Sequence, residues 1–240
     1  MIGLILAASA TAVATGLGAI PVMFLGDRTK ALTPILLGVT AGVMIVASVM
    51  GLLLPALDRG SPSEVVLGLV IGIAFLLLAR RWMGHMPREF GGTGGRTAIL
   101  VFLVLLVHSL PEGFAIGTAY EADPSQLGVF VVIAIGIQNI PEGTSVAIPL
   151  ATTGASNSRL FFAAVLSSVP QPVGAVIAFF LVEEISALLP ISFGFAAGAM
   201  LALTAIEILP QGLRAGRRGT LSGAAVSAVA MVALSLALGV

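Results

Sequence analysis

The 240-residue chain contains no cysteine, which removes disulfide bonds and thiolate metal ligands from consideration. Charge is scarce. Only 9% of the residues are Asp, Glu, Lys or Arg, where a soluble domain carries about 25%. The eleven basic and eleven acidic side chains cancel, so no basic face for a nucleic-acid partner is expected. Aromatics make up 6% of the chain, too few for the stacking surface that a sugar or similar organic solute uses.

What the chain does have is long apolar stretches: 58% of its residues are hydrophobic and 29 are glycine. Eight runs, at about 2–25, 34–57, 63–82, 97–120, 126–150, 159–182, 187–210 and 219–240, approach the ~20 residues that a helix needs to cross ~30 Å of hydrocarbon. Backbone groups in lipid must be satisfied within the segment, so the spans read as helices. The expected fold is an all-α polytopic membrane protein forming one transmembrane domain over 1–240. The first run lacks a basic leader and is too long for a signal-peptide core, so it reads as a membrane helix.

Arg28, Lys30, Arg80, Arg81, Arg88, Arg96, Arg159, Arg214, Arg217 and Arg218 fall on one side of these spans, and Arg59 on the other. The positive-inside rule then places the 26–33, 83–96, 151–158 and 211–218 loops in the cytoplasm and both termini outside. The expected location is the cell (inner) membrane. Asp58, Glu64, Glu121, Asp123, Glu183 and Glu184 gather on the outer side.

Two hexapeptides repeat thirty residues apart: His108-Ser109-Leu110-Pro111-Glu112-Gly113 and Gln138-Asn139-Ile140-Pro141-Glu142-Gly143. A fainter repeat links Ala41-Gly42-Val43-Met44 with Leu54-Pro55 to Ala197-Gly198-Ala199-Met200 with Leu209-Pro210. Under the derived topology both repeats run in opposite directions, an inverted arrangement used by many secondary transporters. Helices 1–3 and 6–8 would form the inverted halves of a 3+2+3 plan, with 4 and 5 a central hairpin. Gly68 with Gly72, and Gly194 with Gly198, have the spacing that lets helices approach closely in lipid.

His108 and Glu112 are four residues apart, as are Gln138 and Glu142, so each pair shares a helix face. Pro111 and Pro141 should open the helix locally, and Gly113 and Gly143 should leave room beside each carboxylate. Ionisable groups at bilayer depth cost roughly 2.5–3.5 kcal/mol on insertion scales, so a repeated pair of them points to function. Two carboxylates repel an anion and neutralise a dication. Nitrogen and oxygen donors suit zinc or a neighbouring transition metal. Metal binding would release protons from the paired carboxylates.

At these residues the chain resembles the ZIP family (Zrt-, Irt-like proteins) of divalent metal transporters, whose helix 4 carries a His-Asn-x-Pro-Glu-Gly type motif and helix 5 a His- or Gln-led counterpart. The resemblance runs the length of the chain. It implies eight helices, a homodimer in the lipid bilayer, and movement of a divalent metal towards the cytosol. Zinc is the first expectation, with cadmium, iron, manganese and cobalt also open, and no prosthetic group is implied. It further implies that His108, Glu112, Gln138 and Glu142 form the principal metal site, with Met44 as a thioether ligand. Relatives with two adjacent metals add polar or acidic ligands at three more positions. Here those hold Ser109, Asn139 and Gln171, so one tightly held metal and a weak or empty second position are expected. Glu207 matches a Glu-x-x-Pro stretch near the cytoplasmic end, where metal exit and snorkelling to the interface are both open. His85 reads as a surface residue and Arg80-Arg81-Trp82 as an interfacial anchor.

Two other readings stand beside this one. An intramembrane metal-dependent enzyme would need an open coordination position and a general base, and no His-Glu-x-x-His motif occurs. A proton-coupled carrier of another solute would make metal affinity incidental.

Overall fold

The structure is a computed structural model and describes residues 1–84 and 93–240. His85 and Arg88, both assigned above to the cytoplasmic loop, lie outside the described residues. Among the described residues there is no strand. Eleven α-helices follow one another among the described residues: α1 (Ile2–Leu17), α2 (Ala19–Leu25), α3 (Thr33–Ser48), α4 (Leu54–Arg59), α5 (Pro62–Gly84), α6 (Thr93–Ala122), α7 (Leu127–Ala151), α8 (Asn157–Ser167), α9 (Pro170–Glu184), α10 (Leu189–Leu203) and α11 (Leu209–Leu238). Six helical stretches among the described residues are long and apolar enough to cross a membrane: Ile2–Leu25, Arg28–Arg59, Pro62–Trp82, Leu127–Ala151, Asn157–Glu184 and Ser186–Leu238.

Several expected boundaries move. Helix extends over Met83-Gly84 and over Thr93–Arg96, trimming the 83–96 loop from both ends. The 26–33 loop is mostly a 3-10 turn, Gly26–Leu32. The loop expected over 211–218 is helical within α11 and breaks only at Gly216, where φ is 171° and ψ is 99°. The arginines around that glycine are good helix formers, so the run of charge does not end the helix.

Prolines break the helices elsewhere than the sequence suggested. Pro111 and Pro141 lie inside unbroken α-helix. Pro55 and Pro210 instead each follow a widened π turn, Val49–Leu53 and Thr204–Ile208. A proline cannot donate to the carbonyl four residues back, and a π turn absorbs the missing bond. Both members of the fainter sequence repeat therefore share one backbone irregularity.

The helices pair selectively. α3 packs mainly on α11 and α5 on α10, while α6 packs on α9 and α7 on α1. The glycine pairs let α5 and α10 approach closely: a Cβ on Gly68 would meet the carbonyl of Ile191, and one on Gly194 the carbonyl of Val65. Large apolar side chains such as Val66, Leu78, Val226 and Val229 are exposed on α5 and α11. His108, Ser109 and Glu112 of α6 and Gln138, Asn139 and Glu142 of α7 are buried. That inside-out distribution suits lipid as the solvent.

The turn joining α6 to α7 is fastened by Asp123, whose Oδ1 accepts from Ser125 N (2.9 Å), Ser125 Oγ (2.8 Å) and Gln126 N (3.1 Å). The Ser125 hydroxyl, helped by these amides, holds the Asp123 carboxyl below the usual carboxylate range.

Candidate metal centre

α6 and α7 form a hairpin, and their polar residues meet inside the bundle. Glu112 is fully buried, and Gln138 donates through Nε2 to its Oε1 at 2.7 Å. From α9, Gln171 donates through Nε2 to the other carboxylate oxygen, Oε2, at 2.6 Å. Gln171 Oε1 in turn accepts from Asn139 Nδ2 at 3.0 Å and from the Thr11 hydroxyl at 2.9 Å. Asn139 Nδ2 also reaches the Thr11 carbonyl at 2.7 Å. The network therefore draws on α1, α6, α7 and α9.

Ser109 stands apart from this network. Its hydroxyl donates to the carbonyls of Leu105 (2.9 Å) and Ser167 (3.0 Å), tying α6 to α8. Met44 on α3 is fully buried, with the Thr204 hydroxyl 3.5 Å from its sulfur. Gly113 and Gly143 do not provide room beside the carboxylates. A Cβ on Gly113 would collide with the carbonyl of Gln171, and one on Gly143 with the carbonyl of Thr15. Each Pro-Glu-Gly glycine is a seat for a neighbouring helix backbone.

Several buried atoms in this region have no hydrogen-bond partner: both ring nitrogens of His108, Oε1 of Gln138 and Oε1 of Glu142. A buried polar atom left unpaired costs about 1–3 kcal/mol, so a group of them calls for an explanation. All four belong to the residues singled out in the two hexapeptides. Among the described residues no three His, Asp or Glu side chains gather closely enough to hold a metal by themselves. Amide, thioether or hydroxyl donors would have to complete a ligand set.

Glu207 lies next along from His108. Its Oε2 is 3.8 Å from His108 Nε2, and its Oε1 is 2.9 Å from Arg80 Nε. Arg80 is therefore engaged with a membrane-helix carboxylate and is not only an interfacial anchor. A tight crevice lined by Leu76, His108, Pro111, Glu112, Ala199, Met200 and Leu203 runs beside the cluster.

Thr11 and Thr15 were not singled out from the sequence. They sit one turn apart on α1, and Thr15 pairs with the Ser168 hydroxyl at 2.7 Å. Two hydroxyls at helical spacing in an otherwise apolar run were the available signal.

An apolar-faced helical bundle around a buried, partly unpartnered polar cluster defines a multi-pass membrane protein. Residues 89–236 match the family described as ZIP Zinc transporter. The chain is 35% identical to the zinc transporter GufA of Myxococcus xanthus, over 94% of this chain and 95% of that one. It is 32% identical to the zinc transporter ZIPB of Bordetella bronchiseptica, over 98% of this chain and 81% of that one. A relative from Arabidopsis thaliana is 33% identical over 94% of this chain, which spans only 37% of its length. The chain belongs to the ZIP zinc transporter family, a family of transporters and not of enzymes.

Proposed function

We propose that the protein carries a divalent transition metal, zinc foremost, across the membrane towards the cytosol through a midplane site on α6 and α7. The observation that carries this reading is the cluster of unpartnered buried donors on His108, Gln138 and Glu142 beside the carboxylate of Glu112. The names of the relatives GufA and ZIPB favour zinc. His108, Glu112, Gln138 and Glu142 hold the metal, and Met44 contributes its thioether. Gln171 and Asn139, occupied with each other and with Glu112, leave a second position weak or empty.

The proposed topology has eight spans, both termini outside and residues 83–96 on the cytoplasmic side. The 53-residue stretch Ser186–Leu238 would be about 80 Å long as straight helix, enough for two crossings, and Gly216 divides it. α6, at 30 residues, supplies another crossing. The matched pairings of α3 with α11 and α10 with α5, and of α7 with α1 and α6 with α9, are what a 3+2+3 inverted repeat produces. The homodimer rests on the family resemblance alone.

Uptake by purified protein in proteoliposomes tests the reading. Zinc flux should saturate, and excess cadmium, iron, manganese or cobalt should compete according to how well each suits the site. Flux indifferent to all of these metals, or none above empty vesicles, would contradict it.

A further inference from the structure

Buried serine and threonine hydroxyls in this bundle mostly fold back onto their own helix. Thr144, Thr204 and Ser109 each donate to the carbonyl four residues earlier. Thr40 on α3 does not. It is fully buried and its Oγ1 has no partner.

The register of α3 against α7 shows what Thr40 faces. Gly51, just beyond α3, packs on Val131 of α7. Farther out, Pro55 and Leu127 line one cavity. At the opposite end, Lys30 and Thr152 line another. The two segments are therefore antiparallel. Thr40 lies four residues before Met44 on α3, as Glu142 lies four after Gln138 on α7, so each pair shares a helix face. With Met44 level with Gln138, as the proposed site has them, Thr40 comes level with Glu142. α3 turns its other side to α11, where Gly38 and Gly42 meet the carbonyls of Thr220 and Ala224.

The α6–α7 hairpin adds a third wall. Gln138 bonds Glu112, so four residues on along α7 and four back along α6, Glu142 comes level with His108. Two tiers result. Met44, Gln138 and Glu112 form one. Thr40, Glu142 and His108 form the other, nearer the N-terminal end of α3. The second tier gathers both imidazole nitrogens, a carboxylate oxygen and a hydroxyl, all buried and without a hydrogen bond, with Glu207 3.8 Å from the His108 Nε2. Ser48, the other unpartnered hydroxyl on this face, falls level with Ala134, which offers no donor.

We infer that the Thr40 hydroxyl is a metal-contacting group of the transport path, joining His108 and Glu142 in a tier one helical turn inward of Met44. The inference rests on the metal-transport reading. A hydroxyl oxygen has lone pairs to offer a cation, and a neutral oxygen completes a set that one carboxylate and one imidazole leave short. The metal held across both tiers by Met44, Gln138, Glu112, Glu142 and His108 would gain the Thr40 hydroxyl as it leaves the thioether, and then move towards Glu207 beside His108.

The chain has no cysteine, so Thr40→Cys introduces a single reporter thiol. Cadmium added to the purified full-length variant should produce a sulfur-to-cadmium charge-transfer band, absent from the parent protein. By calorimetry, Thr40→Val should bind zinc about tenfold more weakly, the scale of one lost donor to a charged centre, and Thr40→Ser should bind as the parent does. Cadmium bound to Thr40→Cys without the band, or a folded Thr40→Val with parental affinity, overturns the assignment. If Thr40→Val fails to fold, the cysteine variant still decides. A parent protein that binds neither metal defeats the transport reading itself, and this inference with it.

Discussion

The amide nitrogen of Gln171 lies 2.6 Å from Oε2 of Glu112, so a neutral donor occupies the carboxylate face that a second cation would use. Two dications side by side in a low-dielectric interior repel strongly unless matched by negative charge. Replacing the amide by a carboxylate changes that balance. Gln171→Glu should raise bound zinc from one to two ions per chain, counted by elemental analysis of the purified protein. A parent chain that already holds two tightly bound ions would refute the single-metal expectation.

The Arg80–Glu207 pair separates the two readings of Glu207. Both side chains are partly exposed, at 35% and 21%, and such pairs are worth about 0.2–1 kcal/mol. Arg80→Gln should therefore change the initial rate of zinc uptake by less than about fivefold. Glu207→Gln removes the same pair and also the carboxylate beside His108. If Glu207 takes part in metal exit, its variant should be clearly slower than Arg80→Gln. Equal rates in the two variants would mean that it only anchors the helix end.

Gly143 is a packing position, with the Thr15 carbonyl where a Cβ would sit. Gly143→Ala should push α1 away from α7 and cost about 1–3 kcal/mol as overpacking. The expected readout is a lower midpoint in a thermal unfolding scan of the detergent-purified protein. An unchanged midpoint would mean that the α1–α7 contact yields easily.

The sequence marked the polar pairs on α6 and α7 because a histidine, an amide and two glutamates stand out in apolar runs. The glycine spacings spoke for close packing without locating it, and the structure places both pairs where α5 meets α10. Thr11 and Thr40 were missed because a hydroxyl in a membrane helix usually bonds its own backbone, and only the packed structure shows that Thr11 also reaches Gln171 and that Thr40 has no hydrogen bond. Arg80 looked like an interfacial anchor because its partner, Glu207, is distant in sequence. The prolines misled for a related reason: Pro111 and Pro141 are held in continuous helix beside closely packed neighbours, while Pro55 and Pro210 follow π turns. Residue type alone does not tell these cases apart.

The central claim is that the α6 and α7 carboxylates form the metal path. Its most direct measurement is zinc uptake into proteoliposomes by the parent protein and by the double variant Glu112→Ala with Glu142→Ala, matched for amount and for monodisperse elution. Uptake by the parent and none above empty vesicles by the folded double variant is the expected result. Zinc flux surviving in the double variant would contradict the account.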